Sequence, residues 1–247
     1  MKITKKQWNK YINALARVSE AAAEEMRAFV QKNGISNTEA VIAQAYALST
    51  KYGEATGALA CEMYDSIATA QKAKVASAVP AETVSLTKVR NSVYAIRLMP
   101  VPGEELPKLV GRLVKQVQAD TMLKNAKRDR AEWAWINDGG SCAFCTALAS
   151  QGWLPASKAQ MEGGHASHIH NNCRCEFAIR FEPLEVEGYD PEALREEYNE
   201  ASNGNSASKI KAMRRANYQQ NRDKITLQQR EAYKRRQEAL NDEQSKE

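Results

Sequence analysis

Apolar positions recur every three to four residues through the first half of the chain. Trp8, Tyr11, Ile12, Leu15, Val18, Ala22, Met26, Phe29 and Val30 fall on one side of a helix. Thr4 and Gln7 stand at capping-box spacing ahead of that run, and Gly34 stops it. Ser36 and Glu39 repeat the box. A second helix then carries Val41, Ile42, Ala45, Tyr46, Leu48, Tyr52, Leu59, Met63 and Ile67 to about residue 74. Its many alanines allow neighbouring helices to approach closely. After Pro80 a shorter helix over 85–98 turns Val89, Val93 and Ile96 inward. Residues 99–107, MPVPGEELP, read as a linker or sharp turn. Pro107 suits the first turn of a fourth helix, which runs to about 130 on Leu109, Val110, Leu113, Val114, Val117 and Leu123.

The period then changes. Residues 131–136, AEWAWI, are short and aromatic and read as a strand. Residues 176–181, EFAIRF, alternate, with Phe177, Ile179 and Phe181 on one face and Glu176, Ala178 and Arg180 on the other. The two strands should pair across the segment between them. One of Trp133 and Trp135 is expected to cover that segment and the other to be partly exposed. Further on, 182–200 is acidic and 202–208, SNGNSAS, is a polar joint. A charged helix-former follows. It holds Lys209, Lys211, Arg214, Arg215, Arg222, Lys224, Arg230, Lys234, Arg235 and Arg236 against only Asp223 and Glu231, a local net of +8. The whole chain is +5, so the remainder is net negative.

These patterns predict a mainly α protein: a long-helix N-terminal region, a small α+β zinc-stapled module and a charged helical C-terminal tail. The expected divisions are 1–130, 131–182 and 183–247. Composition agrees with that fold class. Aromatic residues are 7% of the 247, while Ala, Gln, Glu, Lys and Arg are abundant, which favours helices. No run of about 20 apolar residues suggests a membrane span, and the first residues lack the apolar core of a signal peptide. A reducing cytoplasm is the expected birthplace, where clustered cysteines bind metal more often than they form disulfides.

Four of the five cysteines and all three histidines fall within 142–175. Cys142 and Cys145 form a knuckle whose two-residue spacing lets both sulfurs face one ion. His170, Cys173 and Cys175 supply the other half. Zinc takes four N or S ligands in a tetrahedron, and a thiolate-rich closed set leaves no position for water, so the expected Zn2+ is structural. Thiolates also argue against magnesium or calcium. Five candidates compete for four places, with His165 and His168 in reserve. A Cys-x-x-Cys is redox-active in some settings, but no thioredoxin-like βαβ pattern surrounds this one. Cys61 reads as a free, half-buried thiol in the second helix. No phosphate loop, nucleophile elbow, paired carboxylates or deaminase signature is present, so no enzyme is expected. Two other classes remain as rivals: a zinc-dependent hydrolase or nuclease, and a zinc-containing nucleic-acid-binding regulator.

The runs WAWINDGGSCAFCTALASQGW and HNNCRCEFAIRF resemble the phage Mu F-like minor head proteins, also called head morphogenesis or minor capsid proteins. The likeness rests on Trp133 and Trp135, Cys142 and Cys145, the short helical stretch 148–152, and His170, Cys173 and Cys175. It covers roughly 107–182. The resemblance implies a structural role in the virion, at the capsid interior or portal vertex, after assembly in the host cytoplasm. The implied partners are the phage portal protein and capsid proteins, in head assembly and genome packaging or delivery. The basic tail adds non-specific DNA as a candidate partner through phosphate contacts. A simple solvated helix, or docking on an acidic portal or capsid surface, are its other readings. No membrane partner is expected.

Overall fold

The computed structural model describes residues 1–137, 142–156 and 175–244. Its first helix forms where the capping box predicts. The Thr4 hydroxyl accepts the Gln7 N–H, and the Gln7 side chain accepts the Thr4 N–H at 2.9 Å. Helix α1, Lys5–Asn33, ends at Gly34 with a φ of 65°, a conformation glycine adopts without steric cost. A two-residue strand, β1 (Lys2–Ile3), precedes it and pairs in parallel with β5 (Glu185–Val186). Strands this short leave no periodic signal in sequence.

Helix α2, Thr38–Ala70, starts at a different cap from the one Ser36 and Glu39 predict. Asn37 takes that role, its side chain accepting the Ala40 N–H at 3.1 Å. Asn and Ser serve about equally well at this position, so the spacing alone could not choose. The helix also ends earlier, at Ala70. Its buried face is a strip of small residues, including Gly53, Gly57 and Ala60, rather than only the large apolar ones. A Cβ at Gly53 would stand 3.0 Å from the Val117 side chain, so this helix pair closes through the missing atom.

An irregular segment, 73–85, follows. It forms no ladder of its own, and side chains of the helix over 102–129, with Asp65 of α2 accepting the Ala78 N–H at 2.8 Å, satisfy backbone groups along it. Asn125 both accepts from the Val79 N–H and donates to the Val79 carbonyl, each at 2.9 Å. Thr121 accepts the Ala81 N–H at 2.9 Å, and Arg128 donates to the Ala76 and Ser77 carbonyls. Ser85 caps α3, Leu86–Arg97. Helix α4 then spans Pro102–Asp129. The stretch expected to be a linker up to Pro107 is therefore largely helical. Pro102 supplies the first-turn proline, Glu104 and Glu105 complement the helix dipole, and Pro107 sits inside. Pro107 forgoes one helical bond close to the helix start, where the ladder is shortest.

Helices α1, α2 and α4 pack together, with α3 against α2 and α4. One core cluster joins Ala22, Met26, Val41, Ile42, Val89, Val93 and Leu109. The other runs from Trp8, Tyr11, Leu15, Tyr64 and Met122 straight into the sheet. That sheet has the order β3–β2–β4, with β2 at Glu132–Ile136, β3 at Leu154–Pro155 and β4 at Glu176–Arg180. The two strands flanking the cysteine segment pair antiparallel as expected, with Trp133 opposite Ile179 and Trp135 opposite Phe177.

One expectation for the sheet is corrected. Neither tryptophan is partly exposed: Trp133 keeps 8% and Trp135 2% of its surface. Phe177 lies edge-on to both, at 5.2 and 4.4 Å between ring centres. The Glu176–Ala178 face of β4 is not turned to water. Ala134, Ile136, Glu176 and Ala178 are all buried, because α4 packs on that side and Lys115 of α4 pairs with Glu176.

Asp120 is a weak point of α4. Burial pushes its carboxyl above the ordinary range, only partly offset by the Gln116 amide, which donates to it at 2.8 Å, and by the Lys88 charge. A carboxylate whose folded pKa is raised opposes folding while it is ionised. Asp120→Asn keeps the acceptor for Gln116 and removes the charge. Its melting temperature at pH 7 should exceed wild type by about 2 °C. The gain should fade as pH falls through the carboxylate range, where wild type is itself protonated. An equal gain at all pH values would show that the charge is not the cause.

Candidate functional site

The cysteine module is built at one end of the sheet. After β2 the chain enters a short helix, α5 (Ala143–Ala149), with Cys142 as its exposed N-cap. The Cys142 carbonyl accepts the Thr146 N–H at 3.0 Å. The expected helix at 148–152 thus lies earlier, directly on the Cys-x-x-Cys. Cys145 is one turn in and 1% exposed. Cys175 immediately precedes β4, is also 1% exposed, and belongs to the same apolar cluster as Cys145, Ala149, Trp135 and Phe177. Two of the five candidate ligands are therefore buried in one extended core cluster, and a third begins the helix that carries Cys145.

His165, His168, His170 and Cys173 lie outside the described residues. Among the described residues no group of three or more His, Cys, Asp or Glu side chains is gathered as a metal cage. The donor chemistry still suits zinc, since the described members, Cys142, Cys145 and Cys175, are thiols. Four of Cys142, Cys145, His170, Cys173 and Cys175 would hold the ion, with His170 the preferred imidazole, and its chemistry would be to bind the loop together. Cys61 stands apart on α2 as a half-buried thiol, held above its ordinary pKa by burial and by Asp65.

The far end of α5 is secured by the chain that follows the sheet. The Tyr189 hydroxyl donates to the Ala149 carbonyl at 2.8 Å, and Arg195 donates to the Ser150 carbonyl at 3.2 Å. These carbonyls lie at the open end of the helix, the first also accepting the Gly152 N–H at 3.3 Å, and the two side chains add to the C-terminal cap. Arg195 lies on α6, Pro191–Glu200, whose N-cap Asp190 accepts from Glu192 and Ala193. Sequence reading marked this segment only as acidic and missed both contacts. The Asp190-Pro191 pair, a helix-start signal, was the available clue.

The tail is a single helix, α7, spanning Ser206–Gln244. The polar joint before it is shorter than expected, since Asn205 accepts the Ser208 N–H and hydroxyl and starts the helix inside it. The helix packs on α5 and α6 through its first turns, with Met213 buried. The basic residues divide there. Lys209 is a tether: its ammonium bonds the Asn199 side chain at 2.7 Å and lies 4.8 Å above the Tyr198 ring. Lys211, Arg214, Arg215, Arg222, Arg230, Lys234 and Arg235 are exposed. The side chains of Lys224 and Arg236 lie outside the described residues.

A cavity of about 390 Å³ opens between α1 and α4, walled by Ile12, Leu15, Gly111 and Arg112, with Lys115 and Glu176 also lining it. Burial holds the Arg112 guanidinium below its ordinary pKa. Its charged groups are of both signs.

A family model described as VG15 protein matches residues 2–201. The chain belongs to the VG15 protein family. This is a viral gene family, which suggests a phage protein, and it does not single out the Mu F-like head proteins. The VG15 region takes in all four long N-terminal helices, the sheet, the cysteine module and α6, and stops before α7. No curated protein and no solved structure matches the chain. No helix among the described residues is long and apolar enough to cross a membrane.

Proposed function

We propose that this VG15 protein is a structural phage head protein, a minor capsid component that works beside the portal or on the inner capsid wall in assembly and genome handling. The observation that carries this reading is the extent of the viral family match, which takes in the whole folded body rather than one grafted motif. The Mu F-like residues Trp133, Trp135, Cys142, Cys145 and Cys175 add to it, because they belong to one module whose core is continuous with the helices. A body of long helices around a closed core suits a scaffold or adaptor better than a hydrolase. In this reading zinc closes the cysteine module and takes no part in a reaction.

Co-expression with the portal and major capsid proteins of the same phage tests the role. The chain should sediment with procapsids at a fixed ratio below that of the major capsid protein, and should bind purified portal. A chain that stays at the top of the gradient and ignores portal would overturn the proposal.

A further inference from the structure

Helix α7 is unlike the rest of the molecule. From Arg214 to its end it extends roughly 45 Å at 1.5 Å per residue, and no described side chain in that stretch is buried. Its cations repel one another. Lys211 stands one turn from both Arg214 and Arg215, and Arg230 one turn from Lys234, spacings at which like charges weaken a helix. A helix that is polar all round has no apolar face to bury against a body of its own, and a partner that neutralises its charge would strengthen it.

The chemistry of the surface narrows that partner. A second copy of α7 would bring the same excess of positive charge. A protein partner needs an apolar stripe to bury, and none is formed among the described side chains of α7. The large exposed apolar or aromatic side chains among them are Tyr218, Leu227 and Tyr233. Leu227 is nine residues from Tyr218, which at about 100° per residue sets them on opposite sides. The cations are likewise spread around the helix rather than aligned. A dense, repeating array of negative charge contacted without regard to register satisfies such a surface, and the phosphate backbone of a nucleic acid is that array.

We infer that α7 is a sequence-independent binding arm for duplex DNA, using Lys211, Arg214, Arg215, Arg222, Arg230, Lys234 and Arg235 on phosphates, while Lys209 and Met213 fix the arm to the body. The choice of duplex DNA over RNA rests on the head-protein reading; the charge geometry does not. The arm lies beyond the VG15 region, so the family match carries no part of this inference.

The test uses the full-length protein and the variant Arg214→Gln/Arg215→Gln/Arg222→Gln/Arg230→Gln, since glutamine keeps helix propensity. Fluorescence anisotropy is measured on two unrelated 30-base-pair duplexes across a salt series. Wild type should bind both equally, with affinity falling steeply as salt rises. The variant should bind at least about tenfold more weakly near 0.1 M salt, with the log–log slope flatter by about 3 to 4. Helical content by circular dichroism should rise when duplex is added to wild type and not to the variant. No binding at low salt, equal binding by the variant, or sequence-dependent binding that survives salt would overturn the inference. Duplex RNA bound more tightly than DNA, or polyglutamate competing as well as DNA at equal charge, would also overturn it. Procapsid incorporation of the variant is scored separately. Retained incorporation with lost DNA binding leaves the head role standing on its own.

Discussion

Protein purified without chelator should carry one zinc per chain, and Cys142→Ser should both empty the site and destabilise the fold. The choice of Cys142 is deliberate. Cys145 is 1% exposed inside an apolar cluster, so a serine there would cost stability whether or not a metal is bound. Cys142 is exposed at the start of α5, where serine is a favourable helix cap. Without metal, Cys142→Ser is expected to change stability by no more than about 0.5 kcal/mol, as surface substitutions do. With a structural zinc it removes a ligand. Isolated zinc modules gain about 10 kcal/mol or more from the ion. Even a fraction of that, about 4 kcal/mol, is a fall of 10 °C or so for a chain of this size. EDTA should lower wild type by a similar amount and leave the variant where it is. The loss should also reach α7, because the arm rests on α5. A metal-free protein with an indifferent Cys142→Ser would return the cluster to redox or disulfide chemistry.

The sequence made some of this architecture plain and concealed the rest for physical reasons. Long helices announce themselves because one apolar face repeats at 3.6 residues, and Thr4, Gly34 and Ser85 mark their ends through local hydrogen bonds or a glycine-favouring conformation. Pro102 and Pro107 misled in the opposite direction: two prolines in six residues read as a break, yet one opens α4 and the other is absorbed near its start. The small-residue face of α2 is quiet in any hydrophobic pattern, although Gly53 and Gly57 decide how close α4 comes. The strands were legible as strands and not as a buried sheet. Alternation in 176–181 separates two faces without telling whether either is wet, and it is the packing of α4 that dries Glu176 and Ala178. In the module, Cys142, Cys145 and Cys175 could be singled out from spacing because ligand chemistry constrains it. The caps from Tyr189 and Arg195 could not, since they reach α5 from 40 and 45 residues away. The basic tail was legible as charge, whereas the separate role of Lys209 depends on where α6 lies.

Glu176 makes the second large prediction, because alternation alone does not reveal how deeply this carboxylate is buried. Its carboxylate meets the Lys115 ammonium at 2.6 Å, with side chains 3% and 12% exposed. Desolvating two charges costs several kcal/mol each, and their attraction offsets this only while both are present. Lys115→Met should therefore destabilise by about 3–5 kcal/mol, by leaving a carboxylate buried beside Tyr11, whose hydroxyl is already held far above its ordinary pKa by burial and by the Glu176 charge. Glu176→Gln alone should cost a comparable amount through the stranded ammonium. Lys115→Met combined with Glu176→Gln removes both charges, and its cost should be well below the sum of the two single changes. Chemical denaturation of the four proteins closes this double-mutant cycle. Additive costs would show that the two charges do not depend on one another. A strong coupling would make this pair the clasp between α4 and β4, the contact through which the helical body holds the strand that follows the cysteine segment. Loss of the clasp should then also weaken metal retention, since Cys175 is the residue immediately before Glu176.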